Sequence, residues 1–331
     1  MNDSCTIYVD TGTTNTRVWL VCGERIISRA SAMVGVRDTA RDGTPARLRA
    51  SLGQLITEVL AVPEAQECEP EFVAAAGMIT SSLGLAEVPH IPAPAGISEL
   101  SAAVRRYDFP DITHLEVLLV PGVRTGPQEA DLNTIESADL MRGEETMCLG
   151  LLASELATAP CTVINLGSHW KVISIDASGR ISGSTTSLSG EMIHTTQTQT
   201  ILASAVPQTR PESLDPHWVE SGMLEQRKTG LARALFCVRL LEQGRQSTSE
   251  ERFAFMIGSF IASDLDPLIA HRAIDGEVII TGGGPIAKAW QRALARESLN
   301  ATVIPDGELE RALLRGLDRI TSWWRYRDQE K

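Results

Sequence analysis

Three short glycine-centred segments carry residue types that bind phosphate: Asp10-Thr11-Gly12-Thr13-Thr14-Asn15-Thr16-Arg17, Asn165-Leu166-Gly167-Ser168-His169-Trp170-Lys171 and Thr281-Gly282-Gly283-Gly284-Pro285. Each follows an apolar run of strand character. That placement suits nucleotide binding, because the strand fixes position while glycine lets backbone N–H groups approach an anion. In the first segment, Asp10 at a strand end can hold hydrated Mg2+, and Thr13, Thr14 and Asn15 can donate to phosphate oxygens alongside Gly12. In the second, Gly167 and Ser168 offer the same chemistry, with Lys171 or His169 adding positive charge. In the third, Gly282, Gly283 and Gly284 present a surface without side chains, suited to an adenosine ring and ribose. The competing readings are a plain polar hairpin for the first two and a tight strand-to-helix connection for the third. Neither the Gly-Lys-Ser/Thr of a Walker loop nor the GxGxxG of a Rossmann unit occurs.

The elements around these segments set their context. Residues 6–10, 17–22 and 25–32 read as three strands, with Gly23-Glu24 as the second turn. A helix over 45–60 shows Leu48, Leu52, Leu55, Ile56 and Val59 at helical spacing, and an apolar strand follows over 71–76. Residues 77–98 are rich in Gly, Pro and Ser and read as a ligand-facing loop. A strand at 115–120 and a helix at 142–156 close the first half. The pattern then restarts, with strands at 162–166, 170–176 and 180–185. Sliding the chain by 155 residues lays Asn165-Leu166-Gly167-Ser168 on Asp10-Thr11-Gly12-Thr13. Helices over 190–203, 216–226, 231–243 and 249–271 follow, then a strand at 277–281, a helix to Arg296, a strand at 302–304 and an amphipathic helix over 309–323.

A chain of 331 residues exceeds one core, so two α/β domains are expected, 1–157 and 158–331. The net charge of −12 leaves no basic stripe for a nucleic acid. Neither a secretory signal nor an apolar stretch near the roughly 20 residues that cross a bilayer is read in the sequence, so no membrane partner is expected. The six cysteines, Cys5, Cys22, Cys68, Cys148, Cys161 and Cys237, are scattered, and reduced, mostly buried thiols in a cytoplasmic protein are expected. No segment demands a homodimer, although one would be ordinary.

Two phosphate loops on duplicated meanders, followed by a strand-linked glycine run, resemble the actin-like (ribonuclease H-like) ATPase superfamily of sugar kinases. The order YVDTGTTNTRVWL, GMITSSLGLAEVPHIPAPAG, DLMRGEETMCLG, NLGSHWK, TSLSGEM and ITGGG is similar to the 2-keto-3-deoxygalactonate kinase family. Met141-Arg142-Gly143-Glu144-Glu145-Thr146 is its most specific segment. Three positions depart from the family pattern: Leu166 and Trp170 replace a proline and a serine in the second loop, and Thr11 stands where many members have Trp.

The resemblance implies a duplicated two-domain fold with ATP and Mg2+ in an interdomain cleft. It also implies a final helix, about 309–325, that packs back on the N-terminal domain. The reaction it implies is phosphorylation of the terminal hydroxyl of a 2-keto sugar acid. A carboxylate must then accept the proton, and the resemblance places it at the helix start before the second loop, where Asp139, Glu144 and Glu145 lie; Glu144 is the choice. A helix N-terminus would keep it ionised, although the same acids could simply complement the helix dipole. Arg142, Ser81 and Ser82 are the candidates for the substrate carboxylate; Arg142 could equally pair with a neighbouring acid, and His90 reads as a structural loop histidine. Two rival functions fit the fold: an exopolyphosphatase-like hydrolase, which would want basic residues along its channel, and a sugar-acid sensor, which would want a DNA-binding extension or a damaged phosphate loop.

Overall fold

The structure is a computed structural model that describes residues 4–329. Within them the chain divides into two compact units, one of residues 4–156, 179–182 and 310–329 and one of residues 157–178 and 183–309.

The first unit is built on β1 (Cys5–Thr11), β2 (Thr16–Cys22) and β3 (Arg25–Ala32), an antiparallel meander. After α1 (Val36–Asp42) and α2 (Ala46–Leu60), β4 (Pro70–Gly77) returns parallel to β1. Beyond the short β5 (Ile91–Pro92) and α3 (Ile97–Ala103), β6 (Arg105–Tyr107) and β7 (Val117–Leu119) complete a sheet ordered β3-β2-β1-β4-β7-β6. β1 and β2 are apolar and buried on both faces, as central strands must be, whereas the edge strand β3 is mostly half-buried or exposed. β8 (Val123–Thr125) and β9 (Asp139–Met141) join β5 in a small separate sheet, and α4 (Glu144–Ala153) follows.

The second unit repeats the plan. β10 (Cys161–Leu166), β11 (Trp170–Ile175) and β12 (Ile181–Ser187) form a meander. α5 (Ser189–Gln199), α6 (Pro216–Thr229), α7 (Leu231–Gly244) and α8 (Ser249–Ala270) precede β13 (Glu277–Gly282), which runs parallel to β10. α9 (Pro285–Arg296) and β14 (Ala301–Val303) finish a sheet ordered β12-β11-β10-β13-β14. Its first four positions answer β3-β2-β1-β4, and β14 answers β7. α10 (Asp306–Gln329) ends the described chain.

The seven-residue helices α1 and α3 were absent from the sequence reading. Each starts on a glycine, Gly35 or Gly96, whose N–H is accepted by the carboxylate three residues on, Asp38 or Glu99, and not by a Ser or Thr cap. α8 is long and apolar enough to cross a membrane by length and composition, contrary to the reading that no stretch approaches that length. It is apolar all round because thirteen of its residues are buried, with Phe253, Met256, Phe260 and Leu265 in the core of the second unit. The expectation that all six cysteines are reduced is also corrected. The β1–β2 register sets Cys5 opposite Cys22, with Cα atoms 4.1 Å apart, and the two sulfurs are bonded. A spacing of 17 residues carries no such signal until the hairpin register is known.

In the first unit α10 lies against α4 at backbone contact. A Cβ on Gly150 would fall 1.7 Å from the Ala312 carbonyl oxygen, and one on Gly316 would fall 2.0 Å from that of Thr146. Trp19 Nε1 also donates to Glu310 at 2.8 Å. Gly150→Ala is therefore expected to lower stability by about 1–3 kcal/mol, the usual penalty of overpacking, as a fall in the urea midpoint. An unchanged midpoint would mean that the helices separate at no cost.

Candidate active site

The first site segment is assembled by glycines that let three chain passages touch. Asp10 is in register with Arg17 on β2 and Ala76 on β4. Gly77 follows at φ +85°, and a Cβ there would stand 2.6 Å from the Thr11 carbonyl oxygen and 3.0 Å from Asp10 Oδ1. Gly143, at φ +105°, leads into α4, and its Cβ would meet the Gly77 Cα at 3.2 Å. Only glycine allows both the backbone conformation and the approach. The result brings Glu144, the first residue of α4, close enough to Asp10 for its charge to act there.

Asp10 is pushed up to about 6 from the ordinary carboxylate range, first by burial, then by the Glu144 charge, with Arg17 opposing. Its side chain keeps 24% exposure, and the Arg17 contact at 3.8 Å is loose, so the carboxylate is still partly open to solvent. A half-buried carboxylate oxygen donor, disfavoured as an anion, suits a hydrated divalent cation such as Mg2+.

Glu144 is half-buried and accepts a hydrogen bond at Oε2 from the Arg142 backbone N–H at 3.1 Å. Glu145 is wholly buried. Both its oxygens accept from Gly143 N–H, at 2.8 and 2.9 Å, and Oε1 also accepts from Thr146 Oγ1. Of the three acids left open by the sequence, Glu145 thus holds the turn, while Glu144 stands beside Asp10. Asp139 lies on β9, opposite Thr125.

Burial, followed by the Glu144 charge, pushes Glu145 up to about 7. Because its folded value lies above its unfolded one, the stability it contributes is present at low pH and is lost as pH rises through about 7. Glu145→Gln is expected to raise the melting temperature at pH 8, by up to the order of 3 kcal/mol in stability, and to show little gain at pH 5. A gain that is equal at both pH values would contradict a buried, ionising Glu145.

Arg142, a sequence candidate for the substrate carboxylate, turns its guanidinium to the protein. Its guanidinium donates to Thr80 O and Thr80 Oγ1 at 2.8 Å, to Val88 O at 3.0 Å and to His90 Nδ1 at 3.3 Å. It is committed to bracing the 80–90 loop, and His90, as acceptor, is part of that brace. In the same loop Ser81 is buried and donates to Met78 O, whereas Ser82 is exposed.

The phosphate-loop candidates are distributed as follows. Gly12 N–H donates to Asn15 O, Thr13 is half-buried, and Thr14 and Asn15 are exposed. In the second unit Gly167 and Ser168 are exposed at the β10–β11 turn, and His169 sits 3.7 Å from Glu191. Lys171, the other sequence candidate for positive charge, lies deeper. It is a strand residue, opposite Asn165, with 3% exposure, and its Nζ donates to Thr186 Oγ1 at 2.5 Å. Gly282, Gly283 and Gly284 all adopt positive φ, at +70°, +78° and +54°, and a Cβ on Gly283 would fall 2.8 Å from that of Leu166. The third loop therefore lies against the base of the second, and Thr281 Oγ1 ties to Asn165 Oδ1 at 3.1 Å.

Sequence reasoning missed two glycines that support the loops from behind. A Cβ on Gly35 would fall 2.5 Å from Thr13 O and 2.6 Å from Gly12 O. One on Gly190 would fall 2.3 Å from Gly167 O and 2.5 Å from Ser168 O. These pairs repeat the 155-residue offset of the loops themselves, and that offset is the signal that could have found them. Gly35 is followed by N–H donation from Val36 to Gly12 O and from Arg37 to Thr13 O. Gly190 is held by Asp264 of α8, which accepts from Ser187 Oγ at 2.5 Å and Ser189 Oγ at 3.0 Å.

A duplicated meander with a polar loop at each first bend gives the actin-like fold, here that of a phosphotransferase family. The chain belongs to the 2-keto-3-deoxy-galactonokinase family, whose sequence profile matches residues 10–320. It is 25% identical over 304 residues to the 2-dehydro-3-deoxygalactonokinase of Escherichia coli (strain K12), covering 90% of this chain and 92% of that protein. Identity is 26% over 307 residues, 92% of this chain and 93% of the other, to a protein of Rhizobium meliloti (strain 1021) named a probable 2-dehydro-3-deoxygalactonokinase. A crystal structure from Sinorhizobium meliloti that carries the same enzyme name superposes with a TM-score of 0.73 at 22% identity, covering 95% of this chain and 97% of that one. The activator of 2-hydroxyisocaproyl-CoA dehydratase from Clostridium difficile, solved with bound ADPNP, shares the fold at a TM-score of 0.54 and 14% identity, covering 99% of this chain and 98% of that one.

Proposed function

We propose that this chain transfers the γ-phosphoryl group of ATP to the terminal (6-) hydroxyl of 2-keto-3-deoxygalactonate or a closely related sugar acid. The observation that carries the reading is the close approach of the Gly143 turn that leads into Glu144 to Gly77, itself against Asp10 beside the first phosphate loop, in a chain of this kinase family. Gly12, Thr13, Thr14 and Asn15 of the first loop and Gly167 and Ser168 of the second contact the phosphates. Gly282, Gly283 and Gly284 contact the adenosine. Mg2+ would be held through water by Asp10, where it would neutralise charge developing on the phosphates.

Glu144 accepts the proton of the attacking hydroxyl. Its oxygen not committed to Arg142 N–H is the acceptor, and transfer turns the hydroxyl into a nucleophile as the phosphoryl group departs. Glu145 fixes the Gly143 turn and so aims Glu144. Arg142 shapes the 80–90 loop, leaving Ser82 with backbone donors for the substrate carboxylate. Phosphorus NMR of the product tests the regiochemistry: one phosphomonoester coupled to the terminal CH2 protons is expected, and a signal at a ring carbon would refute it. Comparing kcat/KM for the galactonate- and gluconate-derived epimers then fixes the preferred acid.

A further inference from the structure

We propose that Cys5, Cys22 and Cys68 form a binding site for a thiophilic d10 cation of the Zn2+ class, opened when the Cys5–Cys22 disulfide is reduced. The three Sγ atoms all lie within 4.8 Å of one another, and Cys68 Sγ stands 3.1 Å from Cys22 Sγ. They come from three chain passages: β1, β2 and the lead into β4, whose Pro70 pairs with Cys5. Cys5 and Cys22 are buried and Cys68 is half-buried.

Sulfur chemistry selects the ligand class. Three thiolates are soft donors that favour Zn2+ or Cu+ over Mg2+ or Ca2+. Tetrahedral Zn–S bonds of about 2.3 Å set ligand sulfurs about 3.8 Å apart, a separation these three reach with small side-chain movement. The half-exposed Cys68 side leaves a fourth position for water. The site is separate from the phosphotransfer residues, because Cys5 and Asp10 occupy opposite ends of β1, five residues or about 17 Å apart along an extended strand.

The reaction balances without an unstated reagent. Two equivalents of a thiol reductant convert the Cys5–Cys22 disulfide to two thiols and leave as their own disulfide. The three thiols then lose three protons to solvent as the cation binds. Bound metal would tie the β1–β2 hairpin to the start of β4.

The test uses the full chain, reduced with a phosphine and desalted without oxygen, with complete reduction shown by six titratable thiols in denaturant, the number of cysteines in the sequence. Titration with Co2+ is expected to give a sulfur-to-cobalt charge-transfer band that saturates near one equivalent and is displaced by Zn2+. Cys68→Ser should lose the band while keeping the metal-free melting temperature, since Cys68 lies outside the regular elements. Cys237→Ser, a half-buried cysteine of the other unit, should keep it. No band in the fully reduced protein, a band that survives Cys68→Ser, a band lost in Cys237→Ser, or a disulfide that resists reduction in the folded chain would each overturn the proposal.

Discussion

Glu144→Gln is expected to lower kcat by about 10²- to 10⁴-fold, the contribution of a positioned general base, with KM for ATP nearly unchanged. The amide keeps an oxygen to accept the Arg142 N–H, so the start of α4 stays capped and the Gly143 turn, held by Glu145, is undisturbed. What disappears is the charge. A residue that only complemented the helix dipole would, on the same substitution, change the melting temperature and leave kcat within a few fold. A second readout separates the two roles. Glu144 helps to raise Asp10 to about 6, so removing its charge should move the acidic limb of metal and nucleotide binding to lower pH. A kcat loss with no shift in that limb would place Glu144 away from Asp10.

Gly35→Ala and Gly190→Ala are each expected to reduce kcat/KM for ATP by about 100-fold or more, the scale of misplacing a reactive group by roughly 1 Å. A methyl group at either position would need to enter space held by two carbonyl oxygens of a phosphate loop, at 2.3–2.6 Å. Backbone cannot rotate away as a side chain can, so the loop must shift. Gly35 has φ −149°, which alanine adopts freely, so any loss there is steric and not torsional. Circular dichroism should stay native for both, because the displaced loops are at the surface. Substitution of Gly43, at φ +70° with nothing within 4 Å of a Cβ, is the contrast: it strains its own turn but leaves nucleotide kinetics alone. Full activity in Gly35→Ala would mean that the first loop does not need its rear support.

The parts of the site that follow a local rule could be read from the sequence. The first hairpin, its 155-residue echo and the glycine run all announce themselves through strand periodicity ended by small residues, and the strands stand within a residue or two of the reading. The echo is in fact closer than the residues suggest. β10 and β11 pair Asn165 with Lys171 as β1 and β2 pair Asp10 with Arg17, with one residue fewer in the turn. What could not be read depends on register or on distant partners. Lys171 counts as a loop cation by position, yet pairing with Asn165 turns it into the sheet. Arg142 sits beside the base in sequence, but loop carbonyls 54 and 62 residues away claim its donors. β5, β8 and β9 are two or three residues long and have no period to detect. Gly77 and Gly143 look like ordinary loop glycines until the chain brings them so close that a Cβ on Gly143 would lie 3.2 Å from the Gly77 Cα.

The central claim is tested most directly by ADP release from Mg-ATP with the purified full chain, with and without 2-keto-3-deoxygalactonate. Turnover that requires the sugar acid, and stoichiometric ADP and phosphorylated acid, is the predicted result. ADP release at the same rate without the acid would make this a nucleotide hydrolase and contradict the kinase assignment.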